Sequence, residues 1–103
     1  MGAVSSRERL ARRELPTLVF LRRETSGPSR RMESLVAWVR VTQKKRLRVV
    51  DVDVDVSPAV AGRLGVTTIP ALVLVDRGEV VGKLEGRVKG QEIDDLIGEV
   101  IRR

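Results

Sequence analysis

A chain of 103 residues is long enough for one hydrophobic core but not for two, and an apolar fraction of 42% is typical of a globular protein. The absence of cysteine and histidine excludes disulfide exchange, cysteine-based metal sites and serine nucleophiles activated by histidine. The net charge of +6 is uneven, because residues 1–50 hold 13 Lys and Arg against 4 acids and residues 51–103 hold 7 against 10.

The basic N-terminal segment is predicted to precede the core. Residues 6–13 can form a short helix, and Pro16 would end it because a proline disfavours the helical conformation of the residue before it. We expect one domain over residues 1–103, with residues 1–16 as a basic helix or extension. The chain has neither a secretory signal pattern nor an apolar run of the roughly 18–20 residues that a membrane span needs, so we expect a cytoplasmic protein without membrane contact.

The next elements are predicted from apolar spacing. Residues 17–21 form an apolar run of strand length, typical of an inner strand that is covered on both faces. Residues 22–29 follow as a polar loop. A helix is predicted from Ser29 to about residue 45, because apolar side chains recur at helical spacing at Met32, Leu35, Val36 and Val39.

A valine and aspartate alternation predicts a strand over residues 47–56, because a period of two residues places alternate side chains on opposite faces. The aspartates also suggest a calcium loop. That loop needs glycine at its sixth position and glutamate at its twelfth, and counting from Asp51 these positions hold Val56 and Gly62. The calcium interpretation therefore fails.

The remaining elements complete an α/β pattern. Ser57 and Pro58 can begin a short helix that ends near Gly65. Residues 71–75 and 79–84 are predicted strands of a hairpin whose turn lies at residues 76–78, and residues 91–101 form a final amphipathic helix. We therefore expect a mixed central sheet of about four strands with helices on both faces.

Three motifs in this order make the chain resemble the thioredoxin family from Thr17 to the end. They are Ser26-Gly27-Pro28-Ser29 before the first helix, Asp55-Val56-Ser57-Pro58, and Gly65-Val66-Thr67-Thr68-Ile69-Pro70. The resemblance implies a thioredoxin-like fold and a family function of dithiol–disulfide exchange with protein substrates.

The resemblance places Ser26 at the position of the attacking cysteine and Ser29 at that of the resolving cysteine. A serine hydroxyl does not ionise at neutral pH, even at a helix N-terminus, so this form is expected to be redox-silent. Two explanations stay open. The serines replace thiols, as in a Cys→Ser variant, or the chain is a natural non-enzymatic module that binds peptides or proteins.

The resemblance also implies a substrate groove. Pro70 matches a cis proline that packs against the active-site turn, and the backbone of Thr68 and Ile69 would pair with an extended substrate segment. Thr25, at the family's tryptophan position, would line this groove together with Gly27 and Pro28. The expected partner is a protein or peptide, with a thioredoxin reductase for a thiol-bearing parent. We expect no cofactor and no metal.

One departure from the family concerns its buried aspartate, which is Phe20 here. Asp51 lies on the predicted neighbouring strand, and we hypothesise that it supplies a buried carboxylate for proton transfer. The alternative is that Asp51 is a partly solvated carboxylate on the strand.

The arginines around the motif have two interpretations. Arg22, Arg23, Arg30 and Arg31 could select acidic partners or lower a thiol pKa, or they could serve solubility. The basic half of the chain could also attract an anionic polymer. No aromatic platform accompanies these charges, which argues against nucleic acid as a partner.

Overall fold

The strands and helices occur in the predicted order along the chain. The structure, a computed structural model, describes residues 15–23 and 27–101, apart from the side chains of Pro28 and Ile101. The helix predicted over residues 6–13 lies outside these ranges. The described elements are β1 (Thr17–Arg22), α1 (Gly27–Thr42), β2 (Arg48–Asp53), α2 (Pro58–Arg63), β3 (Ala71–Asp76), β4 (Glu79–Glu85) and α3 (Gly90–Ile101).

The strands form a mixed sheet, which confirms the predicted fold class. Within the described residues its order is β2-β1-β3-β4, with β1 parallel to β2 and antiparallel to β3, and with β3 antiparallel to β4. Strand β1 is central, and its residues Leu18, Phe20 and Leu21 are almost fully buried. A central strand with side chains buried on both faces requires an apolar run rather than an alternating pattern.

Helices cover both faces of the sheet. On one face, α1 and α3 pack against the strands through a core that includes Met32, Val36, Val39, Ile93 and Ile97. On the other face a smaller core surrounds Leu21, Val54 and Val73, and Val60 of α2 packs against it. Burial of these apolar side chains is the main favourable contribution to folding in a domain of this size.

Strand β2 is shorter than predicted and ends at Asp53. Its carbonyl accepts hydrogen bonds from the backbone N–H groups of Val56 at 3.1 Å and Ser57 at 2.9 Å, and its side chain accepts one from Asp55 at 2.9 Å. Aspartate commonly ends a strand in this way, because its side chain accepts a hydrogen bond from a nearby backbone N–H and so stabilises a turn instead of further strand pairing. The valine and aspartate alternation therefore continues past the end of the strand.

The predicted hairpin between β3 and β4 is present, with a two-residue turn. Asp76 pairs with Glu79, and the intervening Arg77 and Gly78 have φ angles of 54° and 81°. Positive φ at both central residues matches the right-handed twist of the flanking strands. Helix α1 begins at Gly27, two residues before the predicted start.

Candidate functional site

Ser29 lies in the first turn of α1 and is buried, with 1% of its surface exposed. Its Oγ accepts a hydrogen bond from the backbone N–H of Arg23 at 3.2 Å. This bond joins the helix to the segment that follows β1. The serine side chain therefore lies at this position with its hydroxyl directed into the structure.

The segment before β3 forms a tight loop that ends at a buried proline. Pro70 is less than 2% exposed, and the Ile69–Pro70 peptide bond is cis. Gly65 begins the loop with a φ of 69°, a left-handed conformation that glycine adopts without steric cost. The Pro70 carbonyl accepts a hydrogen bond from the Gly86 N–H at 2.7 Å, so the loop is attached to the end of β4.

The sheet register brings this loop to the N-terminus of α1. Leu21, near the end of β1, pairs with Ala71, the first residue of β3. Pro70 precedes Ala71, and Arg23, whose N–H binds Ser29, follows Leu21 by two residues. Because β1 and β3 are antiparallel, the last residues of β1 and the first of β3 lie at the same end of the sheet. Ser29 and Ile69, which are 40 residues apart in the sequence, therefore both lie near one end of the sheet.

Among the described residues, the backbone N–H and C=O of Ile69 have no hydrogen-bond partner. Ile69 is half-buried and Thr68 is exposed. A main-chain donor and acceptor that lack partners can pair with an extended chain that reaches them.

Glu85, at the end of β4, is a site residue that the sequence analysis missed. Its Oε1 accepts hydrogen bonds from the N–H of Thr67 at 2.7 Å, the N–H of Thr68 at 3.0 Å and the hydroxyl of Thr67 at 3.3 Å. The two backbone bonds, with a contribution from the nearby charge of Lys83, hold the pKa of the Glu85 carboxyl below its usual value. A charged residue at the end of a strand is a common surface feature, so the sequence carried no specific signal for this role.

Lys83 also binds the loop that ends at Pro70. Its Nζ lies 3.9 Å from Oε2 of Glu85 and donates a hydrogen bond to the Gly65 carbonyl. Lys83 and Glu85 are two residues apart on β4, and alternate side chains of a strand lie on the same face. Together they bind the loop at its first residue, Gly65, and at Thr67 and Thr68.

The charge at the start of α1 is positive. The first turn of this helix holds no acidic residue, and Arg30 and Arg31 are exposed there. An Nη2 atom of Arg31 lies 4.0 Å from the position that a Cβ on Gly27 would occupy. A helix N-terminus also carries partial positive charge, so this turn favours an anion over a cation. Arg23 is neutralised by Asp55, at 3.2 Å.

The hypothesis that Asp51 is a buried carboxylate is wrong. Asp51 does pair with Phe20 in the parallel ladder, but its side chain is 39% exposed and forms a 2.9 Å ion pair with Arg40 of α1. The physical reason is the position of β2 at the edge of the described sheet, where water reaches the strand. Phe20 itself is 1% exposed within the larger core.

Some predicted site residues cannot be placed. Thr25 and Ser26 lie outside the described residues, as does the side chain of Pro28, and their roles stay predictions. In the ranges that the structure describes, no group of three or more acidic side chains is arranged to hold a metal ion. Within the same ranges, no helix is both long enough and apolar enough to cross a membrane.

Comparison with known sequences identifies similar proteins. The Thioredoxin family model matches residues 5–99. A thioredoxin from Listeria monocytogenes is 31% identical over 75 residues, which are 73% of each chain. A thioredoxin-like protein from Synechocystis is 32% identical over 79 residues, which are 77% of this chain and 75% of that protein.

Comparison with solved structures agrees with the sequence matches. A mutant thioredoxin from Halobacterium salinarum superposes with a TM-score of 0.79 and 27% identity, over 86% of this chain and 77% of its own. The oxidised mitochondrial thioredoxin 3 of Saccharomyces cerevisiae superposes with a TM-score of 0.77 over 89% of this chain and 85% of its own. The second match, at 24% identity, shows the fold alone.

Proposed function

This chain belongs to the thioredoxin family, and from that premise we propose that it is a redox-silent member that binds extended protein or peptide segments beside Pro70. Thiol–disulfide exchange requires a thiolate, and the sequence contains no cysteine. Ser26 and Ser29 stand at the two thiol positions of the family motif. The sequence keeps the Gly27-Pro28 pair between these positions, while the nucleophile is absent.

The observation that carries the proposal is the pairing of Leu21 with Ala71. It puts the end of β1, which leads to α1, at the same end of the sheet as the loop before Pro70, where the backbone of Ile69 has no partner among the described residues. A peptide paired with Ile69 would therefore pass the first turn of the helix.

We further propose that the two serines replace thiols. The burial of Ser29 and the positive first turn of α1 support this, because a helix N-terminus with nearby arginines lowers the pKa of a thiol and so favours the thiolate. The natural non-enzymatic module remains the second candidate. It uses the same groove and would never have carried out the reaction.

Restored cysteines test this proposal. In the Ser26→Cys/Ser29→Cys variant, the thiolate at position 26 would attack one sulfur of a substrate disulfide and release the other as a thiolate. The thiolate at position 29 would then attack the mixed disulfide and release the second substrate sulfur. The substrate gains two electrons, and the protein is left with an internal disulfide.

We expect this double variant to catalyse insulin reduction by dithiothreitol, whereas the unaltered chain should not. The Ser26→Cys variant is the matched control, because without the second thiol it cannot complete the exchange itself and should accumulate as a mixed disulfide when dithiothreitol is absent. A folded double variant without activity would overturn the proposal that the serines replace thiols.

Peptide binding is tested on the unaltered chain. Reduced, carboxymethylated insulin B chain offers an extended peptide without reactive thiols, and its addition should shift the backbone amide resonance of Ile69. The distant exposed residue Arg77 provides the reference. Binding by the unaltered chain together with an inactive double variant would favour the natural module, and an unchanged Ile69 resonance would overturn the proposed groove.

A further inference from the structure

The loop before Pro70 is attached to the end of β4 by charged side chains rather than by backbone pairing alone. Glu85 lies opposite Ala71 in the ladder, and its carboxylate receives the backbone N–H groups of Thr67 and Thr68. The next residue, Gly86, donates its N–H to the Pro70 carbonyl. Both sides of Ile69 are therefore bound to the same strand end.

We propose that Glu85 is a positioning residue for the peptide groove, which holds the Thr67–Thr68 backbone so that Ile69 offers its N–H and C=O to an extended chain in one register. This inference rests on the proposed function, since it concerns how the same groove accepts its peptide.

The available hydrogen-bond donors decide the register in which a peptide can bind. A peptide that adds to a strand edge must find main-chain donors that are not already bonded. The N–H groups of Thr67 and Thr68 are occupied by Glu85, while Ile69 has no partner among the described residues. Without the carboxylate, neighbouring N–H groups would compete for the peptide and shifted registers would become available.

The hydrogen bonds to Glu85 also order the loop before the peptide binds. A loop that is already held in its binding conformation loses less conformational entropy when the peptide arrives, so its affinity for that peptide is higher. The bonds to Glu85 are charge-assisted on the acceptor side, which makes them stronger than bonds between neutral groups. Glu85 is therefore expected to affect the binding of peptides more than the reactivity of a thiol at position 26.

The test compares two disulfides in the Ser26→Cys background. One is a peptide disulfide that can occupy the groove, and the other is a small aromatic disulfide that makes no backbone hydrogen bonds. The measured quantity is the rate of mixed-disulfide formation with the peptide disulfide divided by the rate with the small disulfide. We expect Glu85→Ala to lower this ratio about tenfold, the effect of losing roughly 1.4 kcal/mol of differential binding.

Two variants serve as controls. Glu85→Gln keeps an amide oxygen as an acceptor for the same N–H groups and should restore part of the ratio. Glu79→Ala removes an exposed glutamate from the other end of β4 and should leave the ratio as it was. A Glu85→Ala variant that slows both reactions equally would show a general structural role and overturn the inference.

Failure of the proposed function gives a different result. If the Ser26→Cys parent reacts with the peptide disulfide no better than with the small one, the groove does not bind peptides and the proposed function fails. If the parent prefers the peptide and Glu85→Ala keeps that preference, only the role of Glu85 fails.

Hydrogen exchange in the unaltered chain gives a second test that does not depend on a folded variant. The amides of Thr67 and Thr68 should exchange slowly and that of Ile69 rapidly, and carboxymethylated insulin B chain should slow the exchange of Ile69. Rapid exchange at Thr68, or slow exchange at Ile69 before the peptide is added, would overturn the inference.

Discussion

The hydroxyl oxygen of Ser29 accepts a hydrogen bond from the backbone N–H of Arg23 at 3.2 Å, and this bond joins the first turn of α1 to the end of β1. It is a partly buried bond at a residue that is itself almost fully buried. The position that the family motif assigns to a reactive group is therefore also a structural connection in this chain.

Removal of that hydroxyl should destabilise the fold. Ser29→Ala removes the acceptor of the Arg23 N–H, and the loss of such a partly buried hydrogen bond costs about 0.5–1.5 kcal/mol. Urea unfolding should show this loss, while Ser34→Ala, at an exposed position of the same helix, should change the free energy by less than about 0.5 kcal/mol. Equal values for the two variants would contradict a structural role for Ser29.

Two glycines should respond oppositely to alanine. A Cβ on Gly82 would collide with Cδ1 of the buried Leu96, so Gly82→Ala should cost about 1–3 kcal/mol of stability. Gly62, in α2, has open space around its Cα, and Gly62→Ala should stabilise by about 0.4–1 kcal/mol. In a Leu96→Ala background the penalty at Gly82 should largely disappear, and a penalty that persists would show another cause.

Asp51 should behave as a surface ion-pair partner rather than as a proton donor. Asp51→Asn breaks the exposed pair with Arg40, which costs about 0.2–1 kcal/mol and less at high salt. Arg40→Gln is the matched variant and should cause a similar loss. In the Ser26→Cys/Ser29→Cys background, Asp51→Asn should leave insulin reduction unchanged, and slower release of the mixed disulfide would restore the proton-transfer hypothesis.

Acid should weaken the attachment of the loop to Glu85. Hydrogen bonds from Thr67 and Thr68 hold the pKa of this carboxyl below its usual value, so the folded state favours the ionised form. The contribution of the Glu85 carboxylate to stability is complete above the pKa of this group in the unfolded chain, about 4.3. It is lost as the pH falls through the lower pKa of the group in the folded protein. The difference in unfolding free energy between the chain and Glu85→Gln should therefore shrink in acid, and a difference that is independent of pH would contradict this.

Local patterns were sufficient for most of the fold. The apolar run before Arg22 predicted the central strand, because a strand covered on both faces must be apolar throughout. Gly78, next to alternating residues, predicted the hairpin, because its turn needs positive φ. The order of the three motifs predicted the family, and with it the position of Ser29 at the start of α1.

Other features depended on contacts between distant parts of the chain. The alternation around Asp51 predicted which side chains share a face but not whether that face is covered, and the edge position of β2 left Asp51 exposed to water. Glu85 acquires its role from Thr67 and Thr68, which lie 18 and 17 residues earlier in the chain. The elements and the family could be predicted from the amino-acid order, because they follow from local backbone and side-chain preferences. The environment of each carboxylate could not, because it depends on the strand order and register that bring distant groups together.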